Sequence, residues 1–297
     1  MKAGNAEAMV TTSMQKTRGV IVTGASSGIG LECAKWFAGH GFHVFAGVRR
    51  KADAERLEKA ALGKITAVTL DVTDAASIKS AVKAVAKSPA DIIPFALVNN
   101  AGISIAGPLE MLPVDSFKNQ IDVNLTGQLA VTQAFLPLLR AHHGRVFLMG
   151  SILGKFALPF LGAYSCAKFA LEALAESLSM ELAGTGVSVS IVEPGNIATP
   201  IWEKSKATAI DIAGDLSESK WDMYRDDARA ALGYVERLSE KGLPPVRVAQ
   251  VIEKALNARV AKKKYTVGPD SAFLGKVLPV FPAGLRQAIL RRVMLRR

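Results

Sequence analysis

Four side chains in this sequence are of the right type and spacing for proton chemistry at a carbonyl or an alcohol. Tyr164 and Lys168 stand i, i+4 apart, which places them on one face of a helix. An ammonium beside a phenol favours the phenolate, so the pair is expected to lower the tyrosine pKa from about 10 toward neutrality. Ser151 follows the apolar run Arg145–Met149, and its hydroxyl could hydrogen-bond a substrate oxygen. Asn124 lies inside a helical stretch, where asparagine is a poor choice, so its presence wants a reason. Each is bland when taken singly: a Tyr–Lys pair is surface packing and a serine after a strand is a cap. Together they could pass a proton to a forming alkoxide. A hydride would have to come from a cofactor.

A cofactor site is visible upstream. The run Thr23-Gly24-Ala25-Ser26-Ser27-Gly28-Ile29-Gly30 sits between a β-branched segment and a helix. Glycines there let the backbone approach a pyrophosphate, and the helix start offers free N–H groups to it. The next strand-like run ends at Val48, where an acid would bind a ribose 2′-hydroxyl. Instead Arg49-Arg50-Lys51 follows, and the first acid is Asp53. Cations there favour a 2′-phosphate, so NADP(H) is the expected cofactor, with NAD(H) as the alternative. Arg49 is the first candidate, and Ser27 could add a hydrogen bond.

The spacing G-x-x-x-G-x-G, the pair Asp71-Val72, the run Asn99-Asn100-Ala101-Gly102, and Asn124, Ser151, Tyr164-x-x-x-Lys168 and Pro194-Gly195-x-Ile197-x-Thr199 occur in that order. The set resembles the short-chain dehydrogenase/reductase family, over roughly Thr17 to Gly268. The resemblance implies a nicotinamide-dependent oxidoreductase with Tyr164 as general acid/base. Lys168 would tune Tyr164 and bind the nicotinamide ribose, Ser151 would orient the substrate oxygen, and Asn124 would support Lys168 through a water. It also implies that Asp71 and the Val72 backbone hold the adenine. Asn99 and Ala101, next to Gly102, would line the adenosine side. Ile197 and Thr199, after Pro194 and Gly195, would meet the carboxamide. Arg49, Lys168-Phe169-Ala170-Leu171-Glu172 and Tyr265-x-Val267-Gly268-x-Asp270 are similar to the retinol and 17β-hydroxysteroid dehydrogenase branch. That likeness implies steroid-, retinoid- or long-chain-alcohol-like substrates. Catalytic helices in this family pair into dimers or tetramers, which implies a homo-oligomer.

The elements that must position these groups alternate between short apolar runs and helical periods. Strand-like runs are read at Arg18–Thr23, Phe42–Val48, Ile65–Leu70, Phe95–Val98, Arg145–Met149, Val187–Val192 and Tyr265–Val267. Helices are read at Leu31–Phe37, Ala52–Leu62, from a cap at Thr73 or Asp74 to Lys87, Ser116–His142, Ala163–Ala183 and Pro245–Ala258. Such alternation predicts an α/β fold with one doubly wound, parallel, Rossmann-type sheet. Residues 18–270 are expected to form one domain, preceded by a polar extension (1–17) and followed by a basic tail (271–297). The stretch of about 196–241 breaks the rhythm and is expected to be a substrate loop.

Composition narrows the classes. Hydrophobic residues are 49% and charged residues 21% of 297, which excludes a disordered chain. No apolar run reaches the ~20 residues of a membrane span, and the amino-terminal stretch lacks the apolar core of a signal peptide. Cys33 and Cys166 have no partner spacing for a metal or a disulfide framework, so no metal is expected and a cytoplasmic setting is the default. His40, His43, His142 and His143 are assigned no chemistry. From Lys262 onward nine cations face one acid, Asp270, and supply most of the net charge of +11. Pro279 and Pro282 interrupt that tail. It is expected to be a subunit contact or a solvated end, with peripheral membrane contact as a lesser reading and no nucleic-acid role. Apolar residues in Ile103–Leu112, in Ile152–Leu161 and at Ile197, Ile201, Trp202, Trp221, Met223 and Tyr224 are expected to wall a hydrophobic pocket. A non-catalytic dinucleotide-binding regulator is the competing class, but it would be expected to lose Tyr164 or Lys168.

Overall fold

Seven strands build one parallel sheet in the order β3-β2-β1-β4-β5-β6-β7. They are β1 (Thr17–Val22), β2 (His43–Val48), β3 (Ile65–Thr69), β4 (Ile92–Asn99), β5 (Arg145–Met149), β6 (Ser188–Pro194) and β7 (Lys264–Val267). The computed structural model describes residues 16–60, 63–214 and 221–295, so most of the amino-terminal extension, the last predicted residues of the second helix and the final two arginines lie outside it. Side chains alternate across each strand, and both faces are covered. Val20 and Val22 pack with Phe37 of α1 (Gly28–Gly39) and Ile252 of α9 (Val246–Asn257). Leu57 of α2 (Lys51–Ala60) joins that layer. Ile21 points the other way, toward the layer formed by α3 (Ala75–Ala86), α5 (Gly127–Arg140) and α6 (Gly162–Glu181). The chain reverses direction across the sheet between β1 and β4, and ligands bind at such switch points.

Two departures from the expected elements have local causes. β4 begins three residues before the predicted Phe95 and includes Pro94, which cannot donate to a ladder. The register slips there: Gly19 faces Pro94 and Val20 faces Ala96, so a bulge absorbs the missing N–H. The long helix predicted over Ser116–His142 is instead α4 (Val114–Ile121) and α5, joined by a π-helical turn over Asp122–Thr126. One extra residue in that turn re-aims Asn124.

The irregular stretch after β6 contains α7 (Ile201–Gly214) and α8 (Arg225–Glu240). Backbone bonds join the two ends of its base. Leu243 donates to the Asn196 carbonyl (2.9 Å) and accepts from the Ala198 amide (3.0 Å). The tail folds as α10 (Pro269–Val277), a 3-10 turn (Leu278–Val280) and α11 (Ala283–Leu295), with Pro279 and Pro282 at the junctions. Its inner face is buried. Leu278, Met294 and Leu295 join the apolar cluster around Tyr164.

Candidate active site

A cavity of about 570 Å³ opens along the carboxyl ends of the strands. The glycine turn forms one wall. Gly24 and Gly28 adopt φ of 64° and 55°, which only glycine takes without cost. A Cβ on Gly30 would collide with the Gly24 carbonyl and the Asn100 amide. Gly24, Ser26, Ser27, Gly28 and Ile29 all line the cavity, whereas Gly30 packs behind it. Ser27 stands at the N-cap of α1 without a side-chain capping bond, so the first amides of the helix keep their donors for an anion. The tight turn, the donor-rich helix start and the strand-end cavity together fit a dinucleotide.

The turn is braced from β4. Asn100 and Ala101 donate backbone N–H bonds to Thr23 Oγ1 (2.9 and 2.8 Å), and Asn100 Nδ2 donates to the Thr23 carbonyl (2.9 Å). Asn100, Ala101 and Gly102 line the cavity, but Asn99 does not. Asn99 is fully buried and donates to Thr132 Oγ1 (2.8 Å), on the helix side of the sheet. The Asn99 side chain thus lies on the helix side of the sheet, while its neighbour Asn100 borders the cavity.

The second strand end presents Arg49, whose side chain is 73% exposed and lies 3.9 Å from the Asp71 carboxylate. Burial raises the Asp71 pKa, but two bonds from Thr73 and the Arg49 charge outweigh it and hold the group below the usual carboxylate range. Asp71 and Val72 both line the cavity. Arg56 escaped sequence reading. It donates to the Ser26 carbonyl (2.7 Å) and to Asp53 (2.9 Å), tying α2 to the glycine turn. Arg50 lies 3.5 Å from the same Asp53, so the nearest acid is already engaged by two guanidinium groups.

Ser151, Tyr164, Lys168 and Asn124 also line the cavity, and all four are buried. Lys168 Nζ lies 5.4 Å from the Tyr164 ring centre and donates to the Met149 carbonyl (2.7 Å). Ser151 Oγ accepts from the Leu153 amide (3.2 Å). Asn124 pairs both ways with the Ile103 backbone, accepting at 2.8 Å and donating at 2.9 Å. The expected downward shift of Tyr164 is not what this arrangement produces. Burial pushes the phenol up to about 12, with a hydrogen bond to Ser151 pulling the other way. Burial also pushes the Lys168 ammonium down to about 8. Desolvation wins because the ammonium is turned to a backbone carbonyl. Tyr164 therefore stays protonated at neutral pH and can serve as a proton donor.

Pro194, Gly195, Ile197 and Thr199 line the same cavity, with Ile201 and Trp202 beside them. Of the predicted apolar wall, Phe156, Leu158 and Leu161 pack around Tyr164. Met223 does not belong there: it is 64% exposed. Tyr224 turns to Glu110 (2.5 Å) and stands edge-on to Phe160. A second, almost wholly apolar cavity of about 90 Å³ lies nearby, bordered by Phe160, Leu161, Trp221 and Met294. The tail therefore packs into this region through its apolar residues, where a subunit contact or a solvated end is the expectation from the sequence.

Taken with the parallel sheet, the site fits a dinucleotide-dependent oxidoreductase. The comparisons agree with this class. The profile of the family described as short chain dehydrogenase matches residues 18–210. The chain is 36% identical to the 3-amino-tetrahydro-pyrrolizinone reductase of Xenorhabdus hominickii, over 86% of this chain and 88% of that one. It is 33% identical to human retinol dehydrogenase 5, over 93% and 88% of the two chains. A short-chain dehydrogenase/reductase from Burkholderia phymatum, solved in complex with NAD, shares the fold with a TM-score of 0.76 at 21% identity, over 91% of this chain and 98% of that one. This chain belongs to the short-chain dehydrogenase/reductase family and is an oxidoreductase that uses a nicotinamide dinucleotide.

Proposed function

We propose that the chain is an NADP(H)-dependent enzyme that interconverts a hydrophobic alcohol with its ketone or aldehyde. The observation that carries this is the position of Tyr164. It borders the dinucleotide-sized cavity and also packs among Phe156, Leu158, Leu278 and Met294. A substrate oxygen reaching Tyr164 from that side would arrive on an apolar body.

The cofactor, when bound, supplies or accepts the hydride. Tyr164 gives its proton to the forming alkoxide, or takes it back in the oxidative direction. Ser151 holds the same oxygen. Lys168 binds the nicotinamide ribose and stabilises the negative charge that develops on Tyr164 as it gives up its proton. Asn124 fixes the Ile103 backbone beside the substrate and supports Lys168. Arg49 meets the 2′-phosphate. The pairing of Asp53 with Arg50 and Arg56 supports this choice over NAD(H), since the acid that follows the second strand is already held by two guanidinium groups.

This reading takes residues 18–270 as the catalytic unit, 196–241 as the substrate loop, and the tail as a cover for the apolar end. It also takes the enzyme as a cytoplasmic homodimer or homotetramer. Exposed Phe273, Val280, Leu285 and Val293 stand among Lys276, Arg286, Arg291 and Arg292 on the outer side of the tail. That outer side favours peripheral contact with an anionic bilayer as a second role. Co-sedimentation with anionic liposomes, lost on truncation after Asp270, is the expected outcome.

The test of the main reading is turnover of hydrophobic ketones and aldehydes with NADPH and with NADH, followed at the nicotinamide absorbance. Tyr164→Phe should abolish turnover while leaving NADPH binding within about threefold, since the hydroxyl acts on the reacting oxygen rather than on the cofactor. Arg49→Ala should raise the KM for NADPH about tenfold and leave that for NADH nearly unchanged. Equal affinity for both cofactors in the parent protein would remove the role given to Arg49.

A further inference from the structure

Gly195 and Gly268 share a neighbour, and it is not backbone. A Cβ on Gly195 would run into both carboxylate oxygens of Asp270, and one on Gly268 would lie 2.5 Å from Asp270 Oδ1. Gly268 also needs its φ of 101° to turn the chain from β7 into α10. The Asp270 carboxylate thus fills a notch that two glycines leave open. From there Oδ2 accepts the backbone N–H of Asn196 at 2.6 Å, across 74 residues of sequence. The next residue, Ser271, donates its hydroxyl to the Glu193 carbonyl at 2.8 Å. Gly195 itself donates to the Val267 carbonyl at 2.9 Å. The start of α10 therefore grips the chain at Glu193 and Asn196, and the end of β7 grips it at Gly195, immediately before Ile197 and Thr199 enter the cavity.

We infer that Asp270 is a positioning residue for the nicotinamide half of the cofactor: its carboxylate holds the Gly195–Asn196 backbone so that Ile197 and Thr199 present themselves at a fixed height in the cavity. This rests on the reading that the segment after β6 faces the carboxamide. The grip comes from outside the matched family profile, which ends at residue 210. A charge-assisted bond to a backbone amide is the strong kind, and it is shielded here by the turn it closes. Its loss should free the segment without disturbing the glycine turn at the far end of the cavity.

Two measurements on the full chain separate this from a merely structural role. The first is amide hydrogen exchange of the segment 195–198 in Asp270→Ala. Exchange there should speed up while β1 and β5 keep their protection. The second is titration with NADPH and, in parallel, with its 2′-phospho-ADP fragment, which lacks the nicotinamide. Asp270→Ala should weaken NADPH about tenfold and leave the fragment within about twofold. Asp270→Asn should recover most of the NADPH affinity, because the amide oxygen still accepts from Asn196. Gly195→Ala, which crowds the carboxylate out of its notch, should reproduce the selective loss. Unchanged exchange, faster exchange with no nucleotide effect, or equal weakening of NADPH and fragment would each overturn the inference. Failure of the parent protein to bind either nucleotide would instead overturn the cofactor reading on which it rests.

Discussion

Lys168 keeps its ammonium in a place where a charge is expensive. It is 4% exposed, and one carbonyl, that of Met149, answers it directly. Its pKa in the folded chain is lowered to about 8, so the folded state binds fewer protons than the unfolded state between that value and the ordinary 10.5. The stability cost is fully present below pH 8 and is relieved as pH rises toward 10.5. Lys168→Met should therefore unfold at higher urea at pH 7, by about 2 kcal/mol, while losing activity. The gain should shrink at pH 9.5. Residue identity of this kind was legible in the sequence: Tyr164, Lys168, Ser151 and Asn124 do converge on one cavity. The electrostatics were not legible. An i, i+4 spacing says that two groups share a face, but not that the lysine will turn to a strand carbonyl while burial sets the tyrosine. Arg56 escaped for a similar reason, since its partner, the Ser26 carbonyl, is backbone and lies 30 residues away.

The elements that carry these groups are specified by pattern, and the exceptions by backbone contact. Continuous apolar runs located all seven strands, and helical periods located the helices that cover them. What pattern cannot register is a ladder that slips. Pro94 hid the start of β4, and a periodicity spanning Ser116–His142 concealed the π turn that aims Asn124 at Ile103. Both are changes of one residue in register, too small to disturb the hydrophobic repeat. The junction of β1 and α1 is the least tolerant place at this scale. Gly30→Ala would force a methyl into the Gly24 carbonyl and the Asn100 amide. It should cost about 3 kcal/mol in denaturant unfolding and weaken nucleotide binding at the same time. Gly39→Ala, where a Cβ meets nothing within 4 Å, is the matched control and should do neither.

Across the whole molecule, the carboxyl-terminal third is fastened to the catalytic segments by charge as well as by apolar packing. Lys155, just beyond Ser151, lies 2.5 Å from Glu172 of α6 and 2.9 Å from Glu193 of β6. Lys264 of β7 lies 2.9 Å from Glu193. Burial, and then the neighbouring Glu193, raise the Glu172 pKa. Burial acts the same way on Glu193, but its bonds to Glu172 and the two lysines outweigh it and hold it low. Removing Lys155 as Lys155→Met should destabilise the protein by about 2 kcal/mol at pH 8. The loss should be smaller at pH 5. A carboxyl with a raised folded pKa contributes stability below its titration and loses it as pH climbs through it. Thermal unfolding at the two pH values would show the difference directly. No single stretch of sequence carries this cluster. Its four members come from four segments, and only the strand order brings them together.

The closure of the segment after β6, the proposed substrate loop, bears on how such a molecule can change. Asn196, Ala198 and Leu243 are joined across its base by main-chain bonds, and Gly242 leaves no room for a side chain against Ala198. A main-chain seam between Ala198 and Leu243 accepts foreign inserts, provided a glycine is kept at position 242. On the proposed function, replacing residues 200–241 with the same stretch of a relative should alter which alcohols are accepted, and because Ile201, Trp202, Lys204 and Thr208 border the dinucleotide cavity it should shift nucleotide affinity as well. Diversification of substrate would then work through one segment that shares a wall with the dinucleotide cavity and is joined to the scaffold at Leu243.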